Sequence, residues 1–132
     1  MQGALVYLDS SVALRAILNV PQRPRLLRWL ESPDRFLVSS RLLRTEIIRT
    51  LRRDGRPLVE AQPLLARVGL WDISRETHVL AEAIGRHVKT LDALHLATAV
   101  LVGQPITIAT HDARMAAAAE YLGLPTIDPV LG

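Results

Sequence analysis

The segment LVYLDSSVALRAIL, residues 5–18, decides the fold of this chain. Its first part, Leu5–Asp9, is a short apolar run that ends in an acid, and such a run predicts a buried strand. Its second part predicts a helix over Ser11–Leu18. The same order returns near the other end of the chain, where a strand over Ile106–Ala109 precedes a helix over Ala113–Leu122. Strands that lead into helices are typical of an α/β protein with a parallel sheet.

Short apolar runs alternate with helical patterns along the rest of the chain. Further strands are predicted at Phe36–Val38, Leu70–Ile73 and Thr126–Asp128. Further helices are predicted at Pro24–Glu31, Leu42–Asp54, Leu58–Val68 (closed by Gly69), Arg75–Gly85 and Leu91–Val102. We therefore expect a single α/β domain over residues 1–132, with a short central parallel sheet flanked by helices. Such a sheet binds ligands beyond the carboxyl ends of its strands, where the strand order reverses.

Composition excludes several classes of protein. With 132 residues and 49% hydrophobic residues, the chain can bury a sizeable core. The absence of cysteine excludes disulfides, thiolate zinc sites and cysteine nucleophiles, and it favours a reducing compartment. No secretory signal is evident at the N-terminus, and the longest apolar stretch, residues 91–102, is too short to span a bilayer. We expect a cytoplasmic protein without membrane contact.

The net charge of +3 conceals a strongly basic first half. Between Arg23 and Arg56 there are ten arginines and four acids, a balance of +6. Arginine is the side chain best suited to bidentate phosphate contacts. A basic segment is also typical of a solvated helix face, so this one gains meaning only beside a phosphate chemistry.

Four acids occupy the positions where such a chemistry is expected. Asp9 and Asp112 follow predicted strands, while Asp92 and Glu46 lie near the starts of predicted helices. Each also has an ordinary structural explanation: helix capping for the first two, the helix dipole for Asp92, and an ion pair with Arg49 for Glu46. All-oxygen ligands select Mg²⁺ or Mn²⁺, and paired ions of this kind hydrolyse phosphodiesters. If the acids share one pocket, at least one should titrate above its ordinary range, and Asp92→Asn or Asp9→Asn should stabilise the metal-free protein.

Four stretches resemble the PIN-domain ribonucleases, and among them the VapC-type toxins of type II toxin–antitoxin pairs. These are YLDSSVAL (7–14), the helix that carries Glu46, LDALHLATA (91–99) and TIATHDARMA (107–116). The resemblance runs the length of the chain in the right order, and the third stretch is its most specific part.

The resemblance implies a PIN-like fold and a set of functional residues. Asp9, Glu46, Asp92 and Asp112 would be the catalytic metal ligands, with Ser10 or Thr110 assisting. It also implies cleavage of structured RNA (tRNA or rRNA), a homodimer, and a cognate antitoxin that blocks the site. The chain departs from the family at His111, which we place behind the ligands or facing RNA. Asp128 falls outside the acidic set and is assigned to a turn before Pro129.

Other readings remain open. The same fold could serve RNA maturation, or act as an RNA- or protein-binding module without catalysis. A phosphatase site is disfavoured because Ser11 stands where a second Asp is needed, and a receiver site because paired acids at the first strand and a lysine late in the sheet are missing. A metal-free ribonuclease with two histidines and a lysine is disfavoured because Lys89 is the only lysine. His78, His87 and His95 are predicted on helices without ligand spacing, and His95 is assigned to the core or behind the ligands. We expect RNA contacts from three arginines of the basic segment: Arg44, Arg49 and Arg53.

Overall fold

A computed structural model describes residues 4–18, 20–85 and 87–130 of the protein. Five strands form one sheet in the order β3-β2-β1-β4-β5, and every neighbouring pair is parallel. The strands are β1 (Ala4–Leu8), β2 (Arg35–Ser40), β3 (Val68–Trp71), β4 (Ile106–Ala109) and β5 (Thr126–Ile127). The chain builds outward from β1 on one side and then returns to its other side, so the strand order reverses between β1 and β4. This confirms the predicted α/β fold and places the ligand crevice beyond the ends of those two strands.

Seven α-helices and one 3₁₀ turn are present in the described residues. They are α1 (Ser10–Ile17), α2 (Arg23–Leu30), α3 (Arg41–Arg53), the 3₁₀ turn (Leu58–Ala61), α4 (Gln62–Leu65), α5 (Arg75–Glu82), α6 (Thr90–Leu101) and α7 (Ala113–Tyr121). None of these helices is long and apolar enough to cross a membrane.

The core has two parts, one on each face of the sheet. The first contains Leu8 with Leu43 and Ile47 of α3, and the second contains Tyr7 with Leu96 of α6 and Met115 of α7. Leu8 and Tyr7 are adjacent in β1, and their side chains point to opposite faces because strand side chains alternate. Both parts are therefore anchored on the central strand, which ends at the crevice.

Several predicted boundaries were wrong. The single helix predicted over Leu58–Val68 is a 3₁₀ turn followed by the short α4. Pro63 lies at the start of α4, where its missing N–H costs nothing, whereas inside a long helix it would remove a hydrogen bond. Val68 and Gly69 belong to β3 rather than to a helix end. His87 lies outside any helix, because α5 ends at Glu82.

Candidate active site

Asp9 lies at the junction of β1 and α1 and is 3% exposed. It is the N-cap of α1 rather than the last residue of the strand. One carboxylate oxygen, Oδ1, accepts the backbone N–H of Ser10 at 2.8 Å. The other, Oδ2, accepts the hydroxyl groups of Ser11 at 2.9 Å and Thr110 at 2.7 Å. These bonds offset the cost of burying the carboxylate and leave it about one free lone pair.

Thr110 joins Asp9 to Asp112. Its hydroxyl donates to the carboxylate of Asp9 and accepts the backbone N–H of Asp112 at 3.0 Å. The two acids approach because Leu8 of β1 and Ala109 of β4 are partners in the parallel sheet. Of the two auxiliary residues predicted, Thr110 therefore contacts an acid through its side chain. At Asp9 the second hydroxyl comes from Ser11, whereas the hydrogen bond from Ser10 is through its backbone; the sequence-based choice missed Ser11.

Asp112 is also a helix cap, as its ordinary explanation required. It is the N-cap of α7, and its Oδ1 accepts the backbone N–H of Arg114 at 2.9 Å. Capping and membership of an acidic site are compatible, since Oδ1 alone makes the capping bonds.

Asp92 shows that the four acids share one electrostatic environment. It lies half-buried in the first turn of α6. Burial raises the pKa of Asp92, and the negative charges of Asp9 and Asp112, and to a smaller extent Glu46, raise it further. One acid therefore titrates above its ordinary range, as predicted.

Glu46 contacts a histidine, and not Arg49 as its ordinary structural explanation would require. Its Oε1 lies 2.6 Å from Nε2 of His95. Since His95 comes from the second turn of α6, this contact connects α3 to α6 across the end of the sheet.

The four acids match a divalent cation in donor type and charge. As their side chains stand, no three His, Asp or Glu residues in the described part of the chain are gathered closely enough to hold an ion. In Asp9 and Asp112 the Oδ1 atom accepts a backbone N–H, and in Glu46 the Oε1 atom contacts His95. The oxygen donors are nevertheless those that Mg²⁺ and Mn²⁺ prefer. A cation would relieve the repulsion that, after burial, raises the pKa of Asp92.

Two of the cavities beside the acids are lined by arginine or lysine side chains. One, of about 630 Å³, is lined by Asp92 and Asp112 together with three basic side chains: His87, Lys89 and Arg114. The other, of about 540 Å³, is lined by Glu46, Arg49 and Arg53 among others. Arg44, the third arginine predicted to contact RNA, lines neither cavity.

The sequence-based prediction missed the basic side chains Lys89 and Arg114 of the 630 Å³ cavity, because it considered only the arginine-rich segment. Lys89 precedes Asp92 by three residues, and Arg114 follows Asp112 by two. This closeness in sequence to two candidate ligands is the signal that could have found them.

The side chain of His111 faces the interior, so the prediction that it faces RNA was wrong. The alternative prediction, that it lies behind the candidate ligands, agrees with this placement. Its side chain is 4% exposed, and Nδ1 lies 2.6 Å from Oδ1 of Asp128. Its backbone N–H donates to Ser11 Oγ at 3.0 Å. Asp128 Oδ1 also accepts the N–H of Val130, which is the turn predicted before Pro129.

The fold and the site define a parallel α/β protein with an acidic crevice at the point where the strand order reverses. Residues 6–121 match the model of the PIN domain, and the chain belongs to that family. It is 35% identical over 129 residues to Ribonuclease VapC46 of Mycobacterium tuberculosis, covering 96% of this chain and 98% of that protein.

Solved structures share the fold at low sequence identity. The Mycobacterium tuberculosis toxin VapC20, described as cleaving the sarcin–ricin loop, superposes with a TM-score of 0.69 at 17% identity, over 86% of this chain and 94% of that one. A chain of a toxin–antitoxin complex from Klebsiella pneumoniae gives 0.67 at 18% identity, over 96% and 98%. The predicted PIN-like fold is thereby confirmed.

Proposed function

We propose that this protein is a metal-dependent endoribonuclease and the toxin of a toxin–antitoxin pair. The observation that supports the proposal is that Asp9, Asp112 and Glu46, from three different elements of a PIN domain, act electrostatically on Asp92 in a fourth. The full-length relationship to a protein named a ribonuclease supports the same activity. The protein acts in the cytoplasm as a single domain over residues 1–132.

The four acids are the ligands of Mg²⁺ or Mn²⁺. A bound ion supplies an activated water and stabilises the charge that develops on the phosphoryl oxygens. Asp9 is held for this task by the hydroxyls of Ser11 and Thr110 and by the N–H of Ser10. Attack by water leaves a 5′-phosphate and a 3′-hydroxyl.

The substrate is a structured RNA, of the tRNA or rRNA class. Arg49 and Arg53 share one cavity with Glu46, and Lys89 and Arg114 share another with Asp92 and Asp112. An RNA backbone across the crevice would place phosphates against both pairs of basic residues, with the scissile phosphate over the acids. The salt bridge of Arg53 with Asp54 is open to solvent, so it is weak and leaves this arginine available to a phosphate.

The partners are a second copy of the chain and a cognate antitoxin that blocks the crevice. Support for an antitoxin comes from the Klebsiella pneumoniae complex, whose toxin–antitoxin pair includes a chain of this fold.

The deciding experiment is cleavage of purified tRNA and rRNA with Mg²⁺, with Mn²⁺ and with EDTA. The parent protein should cleave with either ion, EDTA should abolish cleavage, and Asp92→Asn should be inactive. Sequencing of the new 5′ ends identifies the target. RNA binding without cleavage would indicate a binding module, and 2′,3′-cyclic phosphate ends would exclude an activated water.

A further inference from the structure

His95 is a fully buried histidine that spans two polar side chains. It lies in α6, has no exposed surface, and contacts Glu46 of α3 through Nε2 and Tyr7 of β1 through Nδ1, each at 2.6 Å. Three elements of the fold are thus connected by one side chain directly behind the acidic crevice.

The chemistry of the two neighbours assigns the protons. An ionised carboxylate can only accept, so the bond to Glu46 requires a proton on Nε2. A neutral imidazole then has a lone pair on Nδ1, and the hydroxyl of Tyr7 donates to it. Burial raises the pKa of Tyr7, so this hydroxyl keeps its proton at every pH at which the protein would act. A neutral imidazole also avoids burying a second charge.

The rings of Tyr7 and His95 hold each other in place. Their centroids are 5.6 Å apart and the planes cross at 76°, an edge-to-face arrangement. Tyr7 has no exposed surface and packs in the core against the sheet. The imidazole therefore has one orientation, and its Nε2–H points at one oxygen of Glu46.

We propose that His95 is a positioning residue, which holds the Glu46 carboxylate so that its second oxygen is presented to a divalent cation, while Tyr7 fixes the histidine in the tautomer that donates. The inference rests on the proposed metal-dependent function. A free glutamate side chain has three rotatable bonds, and ordering it on ion binding costs conformational entropy. The hydrogen bond from His95 removes part of that cost in advance. Residues that orient a ligand in this way typically change metal affinity by roughly 10- to 100-fold when they are removed.

The test measures Mn²⁺ binding, by electron paramagnetic resonance of the free ion and by calorimetry, without RNA. His95→Leu keeps the size and loses the donor, so the affinity for Mn²⁺ should fall by roughly 10- to 100-fold. His95→Gln places an amide N–H near the position of Nε2 and should restore most of the affinity. Tyr7→Phe, which releases the tautomer, should give an intermediate loss.

A matched control changes a buried polar residue of the neighbouring helix α5 that contacts neither an acid nor Tyr7. Thr77 is 2% exposed, and its hydroxyl accepts the backbone N–H of Ser74 at 3.1 Å. Thr77→Val should remove a buried hydroxyl beside α6 and leave Mn²⁺ binding unchanged. Circular dichroism of each variant verifies the fold. If His95→Leu does not fold, Tyr7→Phe and His95→Gln still carry the comparison.

Nitrogen NMR of the parent protein at pH 8 gives a reading independent of metal and of activity. The ring shifts of His95 should be those of the neutral tautomer with the proton on Nε2; a proton on Nδ1 overturns the proposal. Equal Mn²⁺ affinity in the parent, His95→Leu and Tyr7→Phe overturns the positioning role and leaves the proposed function intact. A parent protein that binds no Mn²⁺ overturns the proposed function, and the inference with it.

Discussion

Replacement of Asp92 by Asn should stabilise the metal-free protein, although it removes an acid from the first turn of a helix. Burial, and then the charges of Asp9 and Asp112, raise the pKa of this carboxylate, so its ionised form is disfavoured in the folded state. Asn has nearly the same shape and no charge. The variant loses the favourable helix-dipole interaction, worth about 0.3–1 kcal/mol, but escapes both the desolvation cost and the repulsion.

The expected size follows from the position of Asp92. A favourable single substitution of this kind typically adds roughly 0.5–2 kcal/mol to the free energy of unfolding. Asp92 is half-buried, so solvent screens part of the repulsion and the lower half of that range applies. For a chain of this size, about 1 kcal/mol corresponds to a rise of roughly 3–5 °C in melting temperature.

The pH dependence of the effect has a definite sign. Because the pKa of Asp92 is raised in the folded protein, the folded state binds more protons than the unfolded state in the window above the ordinary value of 3.8. The stability of the parent protein therefore falls as the pH rises through that window. Asp92→Asn lacks this loss, so its advantage should be small near pH 4 and reach a plateau toward neutral pH.

The assay is calorimetric or fluorescence-detected melting of the parent and Asp92→Asn, in EDTA and in excess Mg²⁺, at several pH values. In EDTA at neutral pH the variant should melt higher. Mg²⁺ should stabilise the parent more than the variant, since an ion that binds only the folded state adds stability by mass action. The reasoning is refuted if the variant melts lower in EDTA, or if Mg²⁺ shifts both proteins equally.

Three further predictions concern the other charged groups. Asp9→Asn should destabilise the protein by about 1–3 kcal/mol, contrary to the stabilisation expected from sequence. The reason is that an amide N–H₂ would face the hydroxyls that donate to the carboxylate of Asp9. Chemical denaturation of this variant and of Asp92→Asn should show changes of opposite sign in the free energy of unfolding. Replacing Arg49 and Arg53 together by Ala should weaken RNA binding and lower its salt slope by up to roughly 1.4 to 1.8. Arg52→Ala, on the same helix but outside both cavities, should change little. An unchanged slope in filter binding would show that Arg49 and Arg53 only form a solvated helix face. Asp128→Ala should lower the free energy of unfolding by about 1–2 kcal/mol, because the contacts of Asp128 with His111 and Val130 are lost. The affinity for Mn²⁺, measured by calorimetry, should not change. A large loss of affinity would place Asp128 among the metal ligands.

Local pattern was sufficient for most of the fold. The strand over Ile106–Ala109 has the predicted bounds, and the main helices begin or end within one residue of those expected. Local signals such as hydrophobic periodicity, acids at helix starts and glycines at helix ends depend only on neighbouring residues, so they can be read from the sequence. The structure agrees: Gly55, Gly103 and Gly123 have positive φ after α3, α6 and α7. The prediction over Leu58–Val68 failed because Pro63 was read as part of a continuous helix.

In the candidate site, the positions of the acids follow from local sequence, whereas their side-chain partners do not. That Asp9, Asp92 and Asp112 belong near the ends of strands and helices was determined by the sequence itself, because a strand followed by a helix is a local unit and parallel strands share one carboxyl edge. The hydrogen-bond partners of Asp9 and Glu46 were decided only by the tertiary structure. Thr110 reaches Asp9 across 101 positions, and His95 reaches Glu46 across 49. No periodicity connects such residues. The pairing of β1 with β4 brings Thr110 to Asp9, and the side-chain contact between α3 and α6 across the end of the sheet joins Glu46 to His95.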